Sequence, residues 1–243
     1  MKMDLEIECA LVLAAGLGTR MRHLTENRPK PLIEVAGQRL IDRVLDRIAD
    51  AGIARAVVNV HYKADQIEAA VQGRARPAIQ ISDERDALLD TGGGASRALP
   101  MLGAGPFLIH NSDSIWVEGV EPALTTLMRA WNNDEMDCLM LLAAISDSTG
   151  FDGPGDFTMA RNGRLARRPK GVISPFVFAG VSIAHPRLFA EAPAGAYSLN
   201  AVWDQAIARN RLYGVRLDGH WMHVGTPEAV VAAEHLLTST VKN

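Results

Sequence analysis

Near the N-terminus an apolar run of strand length, Cys9-Ala10-Leu11-Val12-Leu13-Ala14, leads through Ala15 into Gly16-Leu17-Gly18. A strand that ends on glycines passes into a turn whose backbone N–H groups can meet a ligand closely, and successive N–H groups form anion-binding nests. Arg20 comes next, and after a short gap Lys30 stands between Pro29 and Pro31. The arginine is a forked, permanently charged donor, and the lysine is a compact point charge. The two prolines fix φ on either side of Lys30, so it is presented from a stiff segment. Together these residues form a device for holding a polyphosphate, although a lone G-x-G is equally at home in a structural strand-to-helix turn.

The segments beyond this loop constrain the fold. Apolar residues at Leu40, Ile41, Val44, Leu45 and Ile48 have helical spacing, and Gly52 stops the helix. A strand over 56–60, a helix over 64–71 and a strand over 78–81 continue a β-α-β-α-β alternation. That order predicts a parallel sheet covered by helices on both faces, with active sites at the carboxyl ends of the strands. The glycine loop lies at such an end. The chain has 243 residues, 48% of them apolar, enough for one α/β unit with a sizeable core.

The second half of the alternation carries two more marked stretches. Asp90-Thr91-Gly92-Gly93-Gly94 precedes a helix over 95–102, either as a flexible turn or as backbone that something must approach closely. A strand over 107–110 ends in Asn111-Ser112-Asp113. A carboxylate at the active face suits Mg²⁺, which takes one or two carboxylates together with substrate phosphates, and Asp also caps ordinary turns. A helix over 121–131 and a buried strand over 137–145 come next. Residues 146–174 shift to Gly, Asp, Arg and Pro, and Asn162-Gly163 between two alternating runs predicts a hairpin. A strand over 177–184, a helix over 199–208 and a strand over 212–217 lead to Gly219-His220-Trp221-Met222-His223-Val224-Gly225. Thr226 and Pro227 then read as the N-cap and first residue of a last helix.

Several classes are disfavoured. No Gly-Lys-Ser/Thr ending completes a P-loop. Met21 stands where a dinucleotide fingerprint needs its third glycine, and His61 stands where an acidic residue would hold a ribose. A net charge of −3 argues against nucleic acid as a partner. No stretch has the roughly 18 apolar residues of a membrane span. The N-terminal octet is short and acidic, unlike a signal peptide, so the expected location is the cytoplasm. Cys9 and Cys138 both sit in apolar runs and read as buried reduced thiols.

The set Gly16, Gly18, Thr19, Arg20, Thr25 and Pro29-Lys30-Pro31 resembles the signature of the sugar-phosphate nucleotidyltransferases. Within them, Asp90 to Gly94 and Gly155-Asp156-Phe157 look most like the short N-acetylmuramate-1-phosphate uridylyltransferases, with Asp90 where those carry glutamate. The resemblance implies a Rossmann-like α/β fold: a mixed, mostly parallel sheet with helices on both faces and a small sugar-binding sub-sheet. It implies a nucleotide-binding lobe over about 1–145 and a sugar-phosphate lobe with the C-terminal helix over about 146–243. It implies transfer of a nucleotidyl group from an NTP, foremost UTP, to a sugar 1-phosphate, foremost N-acetylmuramate 1-phosphate, in cell-wall recycling. Mannose 1-phosphate with GTP, or another hexose 1-phosphate, is the alternative, and a catalytically silent nucleotide-sugar binder is the alternative of another class. Either a monomer or a homodimer is compatible.

By the same resemblance, Leu13, Ala14, Ala15, Gly16, Gly18 and Thr19 hold the nucleotide, with Arg20 on the departing pyrophosphate and Lys30 on the α-phosphate. Asn59, Gly92, Gly93 and Asn111 complete that site, the two glycines leaving room for the base. Asp90, Gly155, Asp156 and Arg168 are implied for the sugar phosphate. Arg168 stands where many relatives carry a lysine in Glu-Lys-Pro. Asp113 is the implied metal ligand for Mg²⁺. His223 occupies the place of the family's second metal-binding aspartate. Imidazole suits Mn²⁺, Co²⁺ or Zn²⁺ better than Mg²⁺, so Mn²⁺ or Co²⁺ becomes a possible cofactor. His223 as a phosphate contact or a packing residue stays open.

Overall fold

A computed structural model of the protein describes residues 7–240. The acidic N-terminal octet lies outside them except for Ile7 and Glu8. The strands are β1 (Cys9–Leu13), β2 (Glu34–Val35), β3 (Gln38–Arg39), β4 (Arg55–Val60), β5 (Ala78–Asp83), β6 (Phe107–Asn111) and β7 (Ser114–Glu118). They continue with β8 (Cys138–Ala144), β9 (Ser148–Thr149), β10 (Phe157–Met159), β11 (Leu165–Arg167), β12 (Phe176–Ala184), β13 (Leu212–Arg216) and β14 (Gly219–His223). The helices are α1 (Leu40–Asp50), α2 (Ala64–Val71), α3 (Asp90–Leu102), α4 (Ala123–Ala130), α5 (Leu199–Ala208) and α6 (Pro227–Thr240).

Strands β5, β4, β1 and β6 run parallel, side by side in that order. On β1, Ala10 and Val12 face one core and Cys9 and Leu11 the other. Burial on both faces is why this strand is an unbroken apolar run rather than an alternating one. The first core receives Ile41, Val44, Leu45 and Ile48 of α1, the apolar stripe read from their spacing. The second receives Ala95, Ala98 and Leu102 of α3 together with Val202 and Trp203 of α5. Full burial of each large apolar side chain contributes roughly 1.5–3 kcal/mol.

Beyond β6 the sheet turns antiparallel. Strand β12 pairs antiparallel with β6, and then serves two branches, β8 with β13 and β10 with β11. Its register shifts between Phe178 and Ser182, where Gly180 takes φ 82°. The β10–β11 pair is the hairpin that Asn162-Gly163 predicts. A second, three-stranded sheet joins β7, β14 and β9. The sequence does not announce this sheet: β7 hides behind the Asn-Ser-Asp turn, and residues 219–223 stand out as a motif rather than as a strand. Helix α6 closes a third core of Met21, Ile33, Val35, Leu40, Met222 and Val230. The C-terminal helix therefore packs beside the glycine loop. Helix α3 begins at Asp90 rather than at Ala95, because the N–H groups of Gly92 and Gly93 find an acceptor outside the helix, the carbonyl of Tyr197, at 2.8 and 3.0 Å. Both cysteines are free and buried. No helix of the described residues is long and apolar enough to cross a membrane.

Candidate active site

Register places Leu13, Asn59 and Asn111 side by side at the carboxyl edge of β1, β4 and β6. Asn59 is buried and works in two directions. Its Oδ1 accepts the N–H of Ala14 at 2.6 Å, and its Nδ2 donates to Glu84 Oε1 at 2.8 Å. One amide thus ties the start of the glycine loop to the residue just past β5. Gly94 makes this possible, since a Cβ there would come within 2.7 Å of Glu84 Oε1 and 2.8 Å of Asn59 Nδ2.

Gly18 has φ 66°, and a Cβ there would meet Lys30 Cβ and Thr25 Cγ2 at 3.0 Å each. Glycine at this point spares the loop a strained φ and a tight contact with the side chains of Lys30 and Thr25 as it folds over Lys30. Thr25 fastens it by donating to the carbonyls of Gly18 and Arg22, both at 3.1 Å. Lys30 Nζ then reaches Asp113 Oδ2 at 2.5 Å, with side chains 12% and 21% exposed. The turn that carries Asp113 is braced on two sides. Ser114 Oγ donates to the carbonyl of Ala179 and accepts from Trp221 Nε1 at 2.8 Å.

The electrostatics arise from this packing. Burial opposes ionisation of Asp113, but the Lys30 ammonium outweighs it, and the carboxyl lies below the usual carboxylate range. Burial pushes His223 below the usual imidazole range; Lys30 and Arg20 add to this, and Asp113 opposes it. The imidazole is therefore neutral at pH 7. Its ring lies over Gly225, where a Cβ would come within 2.7 Å of Nε2. Glu84 is fully buried and pushed upward by desolvation, and its Oε2 has no hydrogen-bond partner among the described residues.

An open cavity of about 490 Å³ is floored by the glycine loop and Lys30 and walled by Asn59, Glu84, Asn111 and Asp113; Gly225 lines it, but His223 does not. A second cavity of about 290 Å³ adjoins it. The two share Asp90, Thr91 and Asn111 as a common wall. Asp90 has φ 58°, a conformation that costs a non-glycine residue roughly 1 kcal/mol or more and clusters at functional sites. The second cavity is lined by the rings of Phe157, Phe178 and Trp203 with Asp156, Arg167 and Asn200 among its polar groups.

A family model described as the MobA-like NTP transferase domain matches residues 10–205, from β1 into α5 and across both cavities. The chain belongs to this family. The transferase is 47% identical over 229 residues to the N-acetylmuramate alpha-1-phosphate uridylyltransferase of Caulobacter vibrioides, covering 93% of this chain and 95% of that one. It is 32% identical over 220 residues to the protein of the same name from Neisseria meningitidis, covering 89% and 93%. Its fold matches the inositol-1-phosphate CTP transferase of T. maritima with a TM-score of 0.78 at 17% identity, over 99% of this chain and 98% of that one.

In the transferase, Leu13, Ala14, Ala15, Gly16, Gly18, Thr19, Arg20, Lys30, Asn59, Asp90, Asn111 and Asp113 all line the first cavity. Arg20 is exposed and forms no ion pair among the described residues. Asp156 lines the second cavity, where its Oδ2 accepts the N–H of Phe178 at 3.0 Å. Gly92, Gly93, Gly155 and Arg168 are not among the residues that line either cavity. The room at Gly92 and Gly93 is filled by residues 195–197: a Cβ would lie 2.3 Å from the Tyr197 ring or 2.4 Å from the Gly195 carbonyl. Gly155, at φ 82°, lets the chain pass the carbonyls of Ser174 and Phe176. Arg168 donates to the carbonyls of Gly155, Pro169 and Val172 and so secures the loop around it. The neighbouring Arg167 is the cation of the second cavity. Strand period 2 pairs it with buried Leu165 on one face of β11, a signal the hairpin already held. Glu84 also escapes a sequence reading, because a lone acid after a strand carries no signal without its Asn59 partner.

Among the described residues no group of three or more His, Cys, Asp or Glu side chains is placed to hold a metal. Asp113 with His223 offers one carboxylate and one neutral nitrogen. That donor set fits a divalent ion whose remaining ligands are substrate phosphates and water.

Proposed function

We propose that the protein transfers a uridylyl group from UTP to N-acetylmuramate 1-phosphate, giving the nucleotide-sugar and pyrophosphate. The observation that carries this reading is the 47% identity, over nearly the whole of both chains, to a protein named for that substrate, combined with a cavity that presents Arg20, Lys30 and the Asp113 carboxylate around a glycine loop. In this reading residues up to about 145 form the nucleotide lobe, and those beyond it form most of the sugar-phosphate lobe.

The attacking group is a sugar phosphate oxygen, which is already an anion and needs no general base. Catalysis is therefore positioning and charge neutralisation at the α-phosphorus. The backbone of residues 15–19 and the Arg20 guanidinium hold the triphosphate and steady the pyrophosphate as it leaves. Lys30 leaves Asp113 for the α-phosphate, where its charge counts most as the transition state gathers negative charge. Asp113 and His223 would hold a divalent ion, which would neutralise phosphate charge when bound. Neutral His223 keeps that position free of a competing proton. Asn59, through Glu84 and Ala14, fixes the mouth that receives the base.

A panel of four NTPs against several sugar 1-phosphates, read by pyrophosphate release, tests the proposal. UTP with N-acetylmuramate 1-phosphate should exceed every other pair in kcat/KM by at least about tenfold. Preference for GTP with mannose 1-phosphate, or no turnover with any pair at adequate metal, would overturn it.

A further inference from the structure

We propose that Arg167 selects the sugar by pairing with its carboxylate. The inference rests on the substrate reading under Proposed function, since N-acetylmuramate differs from N-acetylglucosamine by a lactyl ether that carries a carboxylate. Position is the first argument. Arg167 lines the second cavity, which opens from the wall it shares with the phosphate-holding cavity, and among the described residues it is the one cation that does so. A sugar whose phosphate lies at that wall extends into this space.

The second argument is how the guanidinium is held. It stacks 4.8 Å from the Phe157 ring centroid. Nε donates to Asp204 Oδ1 at 2.7 Å and Nη2 to Asn200 Oδ1 at 2.8 Å. Nη1 has no partner among the described residues. The fork is thus oriented on three sides and retains the N–H groups of Nη1 for a charge-assisted contact with one carboxylate oxygen. Its ion pair with Asp204 does not use up the charge: the Asp204 side chain is 60% exposed, and such surface pairs contribute about 0–1 kcal/mol.

The third argument is the rest of the lining. Asp156, whose Oδ2 accepts the N–H of Phe178, is an acid that suits sugar hydroxyls and does not attract a carboxylate. A carboxylate in this cavity finds its favourable side at Arg167, the one cation of the lining among the described residues. Helix α5 begins on that side with Ser198 as its N-cap, and its positive end adds to the attraction. Phe157, Phe178 and Trp203 receive the apolar face of the sugar and the methyl groups of its substituents.

The test compares N-acetylmuramate 1-phosphate with N-acetylglucosamine 1-phosphate, each with UTP, in wild type and in Arg167→Met and Arg167→Gln. The glutamine keeps a donor for Asn200. Both variants should lose about 10- to 100-fold in kcat/KM for the carboxylate-bearing sugar, the worth of a charge-assisted contact. They should change less than about threefold for the neutral sugar. Asp204→Asn should keep the wild-type preference. Equal losses on both sugars would make Arg167 a brace for α5 and overturn the proposal. A wild-type preference that survives in both variants would overturn it while leaving the substrate reading intact. A wild type with no preference for the carboxylate-bearing sugar would overturn the substrate reading, and the proposal with it.

Discussion

Lys30 and Asp113 hold one another in the free protein, so removing either one does more than delete a single contact. Lys30→Met leaves Asp113 buried and charged without its partner, and Asp113→Asn does the same to the ammonium. At an effective dielectric of about 20, two unit charges about 4 Å apart attract by roughly 4 kcal/mol. The side chains are 12% and 21% exposed, so desolvation offsets part of that attraction. Each single variant should lose about 3 kcal/mol of unfolding free energy, because breaking one side of a largely buried pair strands the other. The double variant should lose about 3–4 kcal/mol rather than 6, leaving a coupling of roughly 2–3 kcal/mol. Urea denaturation at pH 7.5 with EDTA and without nucleotide measures all four corners of the cycle. Additive losses, within about 0.5 kcal/mol, would refute the reasoning and leave the short contact without energetic weight. Each single variant should also lower turnover at least about a hundredfold, and the same cycle on kcat separates the catalytic loss from the structural one.

Three further outcomes are expected. His110, fully buried, has its pKa pushed down to about 3 by burial, with Arg47 nearby adding to the effect. Its folded pKa lies below the unfolded value of about 6.5, so stability is fully present above pH 6.5 and is lost as pH falls toward 3. Relative to His110→Gln, wild type should lose about 2 kcal/mol between pH 8 and pH 5 in thermal or urea denaturation, and parallel pH profiles would sink the assignment. Gly94→Ala should cost about 1–3 kcal/mol and weaken UTP binding, because its Cβ intrudes between Glu84 and Asn59; an unchanged melting temperature would contradict this. His223→Asp should lower the Mg²⁺ concentration needed for half-maximal activity and remove the advantage of Mn²⁺ or Co²⁺. It should also flatten the acid limb of activity, which in wild type lies below pH 6.5 because burial depresses the imidazole pKa. Identical metal preference and pH profile in the two proteins would leave His223 as a packing residue.

The parallel half was legible because each of its elements obeys a single period. β1 is a run buried on both faces, and α1 shows five apolar residues on one stripe, four of which the structure buries together in one core. The glycine loop, Lys30 and Asp113 were legible because their chemistry is local to a strand end. What escaped depends on partners distant in sequence. Gly92 and Gly93 announce close approach, but nothing in the sequence says that the approaching group is residues 195–197 rather than a base. Arg167 and Arg168 are adjacent and equally charged; strand alternation points the first at the cavity and turns the second onto carbonyls of its own loop. The β7–β14–β9 sheet joins residues about a hundred positions apart in β7 and β14 and 73 apart in β9 and β14, and its short strands have no pattern of their own.

The wall of Asp90, Thr91 and Asn111 belongs to two cavities at once, and that geometry has a bearing on leaving as well as on entering. A nucleotide and a sugar phosphate arrive as separate molecules, and each gives up its own freedom of motion. If nucleotide and sugar sit as proposed above, a nucleotide-sugar would span the wall as one tethered body, and once one end is seated the other would meet its cavity at an effective concentration in the millimolar range for a short link. Tethering holds the product more firmly than either fragment alone. Escape then requires both ends to let go together, or the walls to part. Accumulated nucleotide-sugar would hold the enzyme in check at concentrations that neither starting material needs to reach, a restraint that arises from two rooms sharing a doorway.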